Sequence, residues 1–418
     1  MKPITTMTRM WLTRSTKPFL FTNRNDNELH YVKADNLGLY IHIPFCRTLC
    51  SFCPYCKVPY DARLCDEYVN ALIKEIHYIG GKIPDGKEVT SLYFGGGSPA
   101  LAADRLEEIL HAVQAHFHIT QGIGVELHPQ DITIPLLKQL KKIGITKISI
   151  GIQSFQEEFL GLLGRDNNNF DDMFHALKEI PFETVSMDFI FALPGQTFEL
   201  IKRDIDTAFQ NGANHIAIYP FIDFSFAEHG IKKIKNSVKR KMLDDITAYC
   251  ESKGCYRDSI WTFSLERGRK YSSMTRDNFL GFGCSATTLL KDSFKINTFS
   301  IPEYIKLINS GSLASSLTIH FTKRQRMIYY LFWTAYTTKI SSRDFEKFFG
   351  SSLKNQYGFE LWIAKRLRFI TEDEKGIFEM TRKGAYYYHY YENYYTLSYI
   401  DKMWSVLRKE AFPKELSF

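Results

Sequence analysis

The stretch LYIHIPFCRTLCSFC, residues 39–53, carries an apolar, β-rich run directly into three closely spaced cysteines. Leu39–Ile43 predicts a buried strand. Cys46, Cys50 and Cys53 then follow at C-x3-C-x2-C spacing on a short loop. Three thiolates so placed can ligate three irons of a cubane cluster and leave the fourth open, as catalytic metal sites require. Zinc is the rival, because Cys53-Pro-Tyr-Cys56 forms a C-x2-C pair. No second pair follows at the spacing that zinc sites favour. Of eight cysteines, four fall between 46 and 56, and the others are Cys65, Cys250, Cys255 and Cys284. Disulfide scaffolds spread their cysteines through small secreted chains, so this clustering in 418 residues points to metal.

Outward from that loop, short β-rich runs alternate with amphipathic helices. Strands are expected at Leu39–Ile43, Ser91–Phe94, Gly124–Leu127, Lys147–Ile150, Thr184–Ile190 and His215–Tyr219. Helices between them carry apolar faces such as Tyr68, Leu72, Ile76 and Ile79, or Leu106, Ile109, Leu110 and Val113. Six βα-like units predict an α/β fold with a parallel sheet, too short for an eight-stranded barrel and sufficient for an open, partial (βα)6 TIM-like barrel. Polar and glycine residues gather just after the strands, where parallel folds place function: the cysteines, Gly95–Ser98, Glu126, Gln153, Asp188 and Tyr219.

The division expected is an N-terminal arm (1–36), the core (37–230), a core extension (231–315) and a C-terminal winged-helix-like α+β domain with a tail (316–418). The last contains an apolar helix at Thr322–Tyr336, a two-stranded wing at Phe369–Thr381 and a tyrosine-rich helix at Tyr386–Tyr395. Spaced as Tyr387, Tyr390, Tyr391 and Tyr394, those rings predict core packing more readily than a wall around a large substrate.

Composition narrows the classes. The chain is 44% hydrophobic and 24% charged, ordinary for a globular protein, and its 15% aromatic share suits a large apolar cavity or a well-filled second domain. A net charge of +7 without a concentrated basic stripe argues against nucleic acid. No apolar run approaches the ~20 residues of a membrane span. The N-terminus, MKPITTMTRMWLTRSTKPFLF, lacks a secretory pattern, so a cytoplasmic location is expected.

Taken in order, the motifs resemble a known group. Tyr40-Ile-His-Ile-Pro-Phe-Cys46 leads into C-x3-C-x2-C. Then come Gly95-Gly96-Gly97-Ser98-Pro99, Val125-Glu126-Leu127-His128-Pro129, Gly151-Ile152-Gln153-Ser154-Phe155, Asp188 with Leu193-Pro194-Gly195-Gln196-Thr197, and Gly281-Phe282-Gly283. This series resembles radical S-adenosylmethionine (SAM) proteins of the oxygen-independent coproporphyrinogen III oxidase type. That group includes the related heme chaperones and the two-SAM methyltransferases.

The resemblance implies a [4Fe–4S] cluster on Cys46, Cys50 and Cys53, with SAM chelating the open iron. One electron then splits the C–S bond of SAM to give methionine and a 5′-deoxyadenosyl radical. It further implies that Tyr40, Phe52, Gly96, Gly97, Ser98 and Glu126 surround SAM. Gln153, Arg165 and Asp188 match positions that hold a second SAM. Phe52 reads equally as a loop anchor, and Arg165 as a surface partner of Asp166 or Asp171.

Three departures matter. Cys56 follows Cys53 by three residues where the oxidase has two, the N-terminal arm lacks the oxidase's aromatic segment, and Met274–Leu280 lacks the heme-ligand histidine of the chaperones. The leading expectation is therefore an oxidoreductase that abstracts hydrogen from a large, apolar or tetrapyrrole substrate, with coproporphyrinogen oxidase-like oxidative decarboxylation. The alternatives are a radical methyltransferase using two SAM molecules, a heme carrier using His128, His320 or His389, and, last, a zinc-stabilised DNA-binding regulator. A flavodoxin or ferredoxin is the expected electron donor. No nucleic acid partner is expected.

Overall fold

The structure is a computed structural model that describes residues 3–24, 28–165, 170–227, 230–232, 234–268 and 277–418. Six strands form its centre: β1 (Leu37–Ile43), β2 (Leu92–Gly96), β3 (Ile123–Leu127), β4 (Lys147–Gln153), β5 (Thr184–Phe191) and β6 (His215–Pro220). Each pairs in parallel with the next, in chain order. This is the expected open (βα)6 arrangement. Several strands run one to three residues past their expected ends, so Gly95, Gly96 and Gln153 lie within strands instead of after them.

Alternation along the strands separates core from cavity. In β1, Leu39, Ile41 and Ile43 are at most 1% exposed and pack under the helices, while Tyr40 and His42 face the barrel interior. The outer layer includes α1 (Ala62–Gly80), α2 (Ala103–Gln114), α3 (Ile134–Lys142), α4 (Phe170–Glu179) and α5 (Phe198–Gln210). Tyr68, Leu72, Ile76 and Ile79 of α1 and Leu106, Ile109, Leu110 and Val113 of α2 are buried, as their spacing predicts.

The sheet continues well beyond the six strands. Past β6 lie two antiparallel strands, Thr262–Ser264 and then Tyr256–Ser259. Past β1, β7 (Asn278–Phe282) adds in parallel, and Thr287–Leu289, Ser293–Asn297, Ser315–His320, Leu20–Thr22 and Glu415–Ser417 follow antiparallel. One sheet thus passes through the expected divisions after residues 36, 230 and 315. The N-terminal arm supplies one of its strands.

The C-terminal unit begins with the helices Lys323–Tyr336, Ser342–Phe349 and Leu353–Arg366 and a hairpin of Ile370–Glu372 with Ile377–Met380. Lys339–Ser341 adds a third strand to that wing. The tyrosine helix, Arg382–Tyr395, corrects its sequence reading. Its buried positions are Gly384, Ala385, His389 and Glu392, and Tyr387 is 47% exposed. Small and polar residues win the inward face because the helix packs closely: a β-carbon on Gly384 would lie 1.9 Å from the Phe369 carbonyl oxygen. Among the described residues, no helix is long and apolar enough to cross a membrane.

Candidate active site

Every expected site residue lies on one cavity of about 1700 Å³ inside the barrel, roofed by the C-terminal unit. Cys46 follows β1, and the loop through Cys56 returns to pair Val58 and Pro59 with Phe45 and Cys46. The Lys57 ammonium clamps this loop, donating to the carbonyls of Cys50 (2.6 Å) and Cys53 (2.9 Å). Cys46, Cys50 and Cys53 are free thiols. Burial pushes the Cys46 thiol up to about 12, so iron must displace its proton on binding.

The glycine motif that ends β2 is fitted to this loop. The N–H groups of Gly97 and Ser98 donate to the carbonyls of Ile43 and Phe45, both at 2.7 Å. A β-carbon on Gly97 would meet the Phe45 oxygen at 2.3 Å and Cys46 Sγ at 2.9 Å. Gly96 adopts φ +121°, a conformation that only glycine reaches without strain. Its N–H donates to Glu126 Oε2 at 3.0 Å. Ser98 Oγ donates to Asp131, which also pairs with Arg47 at 2.9 Å.

From the six central strands, β3 and β5 each bring a carboxylate to the cavity. Glu126 projects from β3 and also accepts from Tyr93 at 3.4 Å. Burial raises it to about 7. Asp188 projects from β5 and accepts from Ser149 (3.0 Å) and Ser186 (3.2 Å). Burial, with Glu126 nearby, raises it to about 7 as well.

Gln153 closes β4 with φ +72°. The Arg165 guanidinium donates to the Gly151 carbonyl and lies 5.8 Å from the Phe52 ring, so Gln153, Arg165 and Phe52 gather on one wall. Of the surface partners suggested for Arg165, Asp166 lies outside the described residues. Phe52 also packs on the apolar cluster of Phe159, Leu163 and Leu193, as a loop anchor does. Tyr40 hydrogen-bonds His42 Nδ1 at 3.0 Å and stacks near Tyr93.

The candidate heme histidines are differently engaged. His389 Nδ1 accepts from the Trp261 indole at 3.1 Å, His128 Nδ1 accepts from the Gln130 N–H at 3.3 Å, and His320 is exposed at a strand end. Of Met274–Leu280, residues 274–276 lie outside the described residues. Sequence reasoning missed Tyr93, Asp131, Ser149 and Ser186, which strand alternation or motif proximity could have flagged. It also missed Glu392, which faces the cavity from the tyrosine helix. Burial holds Glu392 at about 8. Among the described residues, Glu392 Oε2 and Arg165 Nε have no hydrogen-bond partner.

The residues fit an iron–sulfur cluster with SAM. Three free thiols share one clamped loop, a glycine cradle lies against Cys46 that any β-carbon would fill, and the cavity holds carboxylates and a partnerless guanidinium nitrogen. An open parallel barrel with such a loop after its first strand defines a radical SAM protein, and the profile of the Radical SAM superfamily matches residues 40–208.

The chain is 32% identical over 361 residues to the heme chaperone HemW of Lactococcus lactis, covering 82% of this chain and 93% of that one. It is 25% identical over 383 residues to the oxygen-independent coproporphyrinogen III oxidase of Escherichia coli, covering 83% and 82%. The solved structure of coproporphyrinogen III oxidase (HemN) from Escherichia coli superposes with a TM-score of 0.75 at 21% identity, covering 88% of this chain and 93% of that one. The chain therefore belongs to the radical SAM family of the coproporphyrinogen III oxidases and HemW heme chaperones. Its cofactors are a [4Fe–4S] cluster and SAM.

Proposed function

We propose that this radical SAM enzyme removes a hydrogen atom from a carboxylate-bearing side chain of a tetrapyrrole. The substrate radical then passes one electron to an external one-electron acceptor and loses carbon dioxide to leave an alkene, an oxidation in keeping with its oxidase relatives' name. The observation that carries the reading is the cavity. At about 1700 Å³ it exceeds the ~300–1,000 Å³ of an ordinary ligand pocket, giving room for SAM beside a large substrate. When bound, the cluster and SAM supply a one-electron cleavage that yields a hydrogen-abstracting 5′-deoxyadenosyl radical.

The chain's own residues do the rest. Cys46, Cys50 and Cys53 hold the cluster, and Lys57 fixes the loop that carries them. Gly96 and Gly97 let backbone approach SAM, and Glu126 receives its cationic groups. Gln153, Arg165 and Asp188, gathered around β4 and β5, form a site for a second SAM or for a substrate carboxylate. The roof of the C-terminal unit excludes water from the radical.

Heme carriage is the second reading, favoured by the HemW relatives. The test is anaerobic turnover with coproporphyrinogen III. Carbon dioxide released in step with 5′-deoxyadenosine supports decarboxylation. Tight heme binding with neither product refutes it, and S-adenosylhomocysteine with a methylated product replaces it by methyl transfer.

A further inference from the structure

Cys56 is the thiol that the cluster does not use. It turns away from Cys46, Cys50 and Cys53 toward β7, where Cys284 follows the late glycine motif. His42 of β1 completes the group. A nitrogen of His42 and the sulfurs of Cys56 and Cys284 all lie within 4.8 Å of one another, and the three residues are 3%, 6% and 0% exposed. Ligands on a tetrahedral zinc stand ~3.3–3.8 Å apart, from bond lengths of ~2.0–2.3 Å. The 4.8 Å bound leaves at most ~1.5 Å to close between any pair of ligand atoms.

The backbone holds the trio together. One hydroxyl, that of Tyr68, donates to the His42 carbonyl at 2.7 Å and accepts from the Cys284 N–H at 3.0 Å. Gly283, at φ +98°, leaves room for it: a β-carbon there would lie 2.3 Å from the Tyr68 oxygen. The two ring nitrogens of His42 meet the Tyr40 hydroxyl and the Cys56 carbonyl, each at 3.0 Å. Whichever nitrogen takes an ion, the other keeps a hydrogen bond that orients the ring, as metal-bound imidazoles require.

We propose that His42, Cys56 and Cys284 form a second metal site, separate from the cluster, that binds one zinc(II) ion. Two thiolates and a neutral imidazole neutralise a divalent charge and suit a borderline-soft ion. His42 and Cys56 border the large cavity, so the fourth coordination position opens on that side. The ion ties the cluster loop to the strand beside it. Nothing in this inference depends on which radical reaction the enzyme performs.

The test is zinc content by mass spectrometry on the cluster-loaded enzyme after removal of loosely held metal. One zinc per chain is expected in the parent. The same is expected in the Cys46→Ala/Cys50→Ala/Cys53→Ala variant, which keeps the cluster loop from capturing zinc. Adding Cys284→Ser to that variant should abolish binding, and Cys250→Ser should not. Zinc absent from the parent, or retained after Cys284→Ser, overturns the proposal. If Cys284→Ser fails to fold, cobalt(II) binding to the Cys46→Ala/Cys50→Ala/Cys53→Ala variant decides the matter: a tetrahedral spectrum with thiolate charge transfer upholds the site, and an octahedral one refutes it.

Discussion

Gly97 is where the glycine motif touches the loop proposed to hold the cluster. Its missing β-carbon leaves room for Phe45 and Cys46, so Gly97→Ala forces the loop away from backbone that cannot yield. Iron content after reconstitution should fall sharply in this variant while secondary structure persists by circular dichroism. Arg165 lies on the wall proposed to hold the second ligand. Arg165→Ala should spare the cluster and weaken binding of the second ligand about tenfold or more, since a hydrogen bond to a charged group contributes ~1.5–3 kcal/mol. Equilibrium dialysis with labelled SAM reads this directly.

Glu126 carries a pH signature. Its carboxyl is raised to about 7 by burial, and a cationic ligand prefers it ionised. SAM affinity should therefore climb as pH rises through about 7, and Glu126→Gln should flatten that slope. The grouping of Cys46, Cys50 and Cys53 on one loop was legible in sequence because their spacing is local. The partnership of His42, Cys56 and Cys284 was not, because the fold joins residues that lie far apart in the chain.

At the scale of elements, the six central strands were readable from their apolar runs and the glycines that follow. Phe94, fully buried in β2, shows why the reading holds. Phe94→Ala should destabilise the protein by ~3–5 kcal/mol in chemical denaturation, the usual cost of an aromatic-sized cavity. The antiparallel strands beyond β1 were not readable. They are three to six residues long, and one pairs residues near 20 with residues near 318 and 416, a match that no local pattern records. The tyrosine helix misled for another reason. Aromatic spacing resembled a core stripe, yet close packing demanded Gly384 and Ala385 inward, leaving the rings at the flanks.

For the whole molecule, the cavity governs stability as well as chemistry. Burial raises Glu126 and Asp188 to about 7 and Glu392 to about 8, all above ordinary carboxylate values. Groups raised in this way favour the fold while protonated, and that advantage is lost as pH rises through the folded-state values. His42, His128 and His389, lowered to about 4 by burial, act oppositely: their contribution is present above about 6.5 and lost as pH falls toward 4. Between pH 6.5 and 8 the carboxyls dominate this set. The ligand-free parent should lose thermal stability across that range relative to the Glu126→Gln/Asp188→Asn/Glu392→Gln variant.

One barrel, one thiol loop and one roofed cavity make the central claim, that Cys46, Cys50 and Cys53 support reductive cleavage of SAM. Its most direct test is 5′-deoxyadenosine formed by the anaerobically reconstituted and reduced protein. It should form in the parent and be lost in Cys46→Ala, Cys50→Ala and Cys53→Ala, with Cys56→Ser retaining the cluster's iron. Deoxyadenosine formed undiminished by any of the three alanine variants would contradict it.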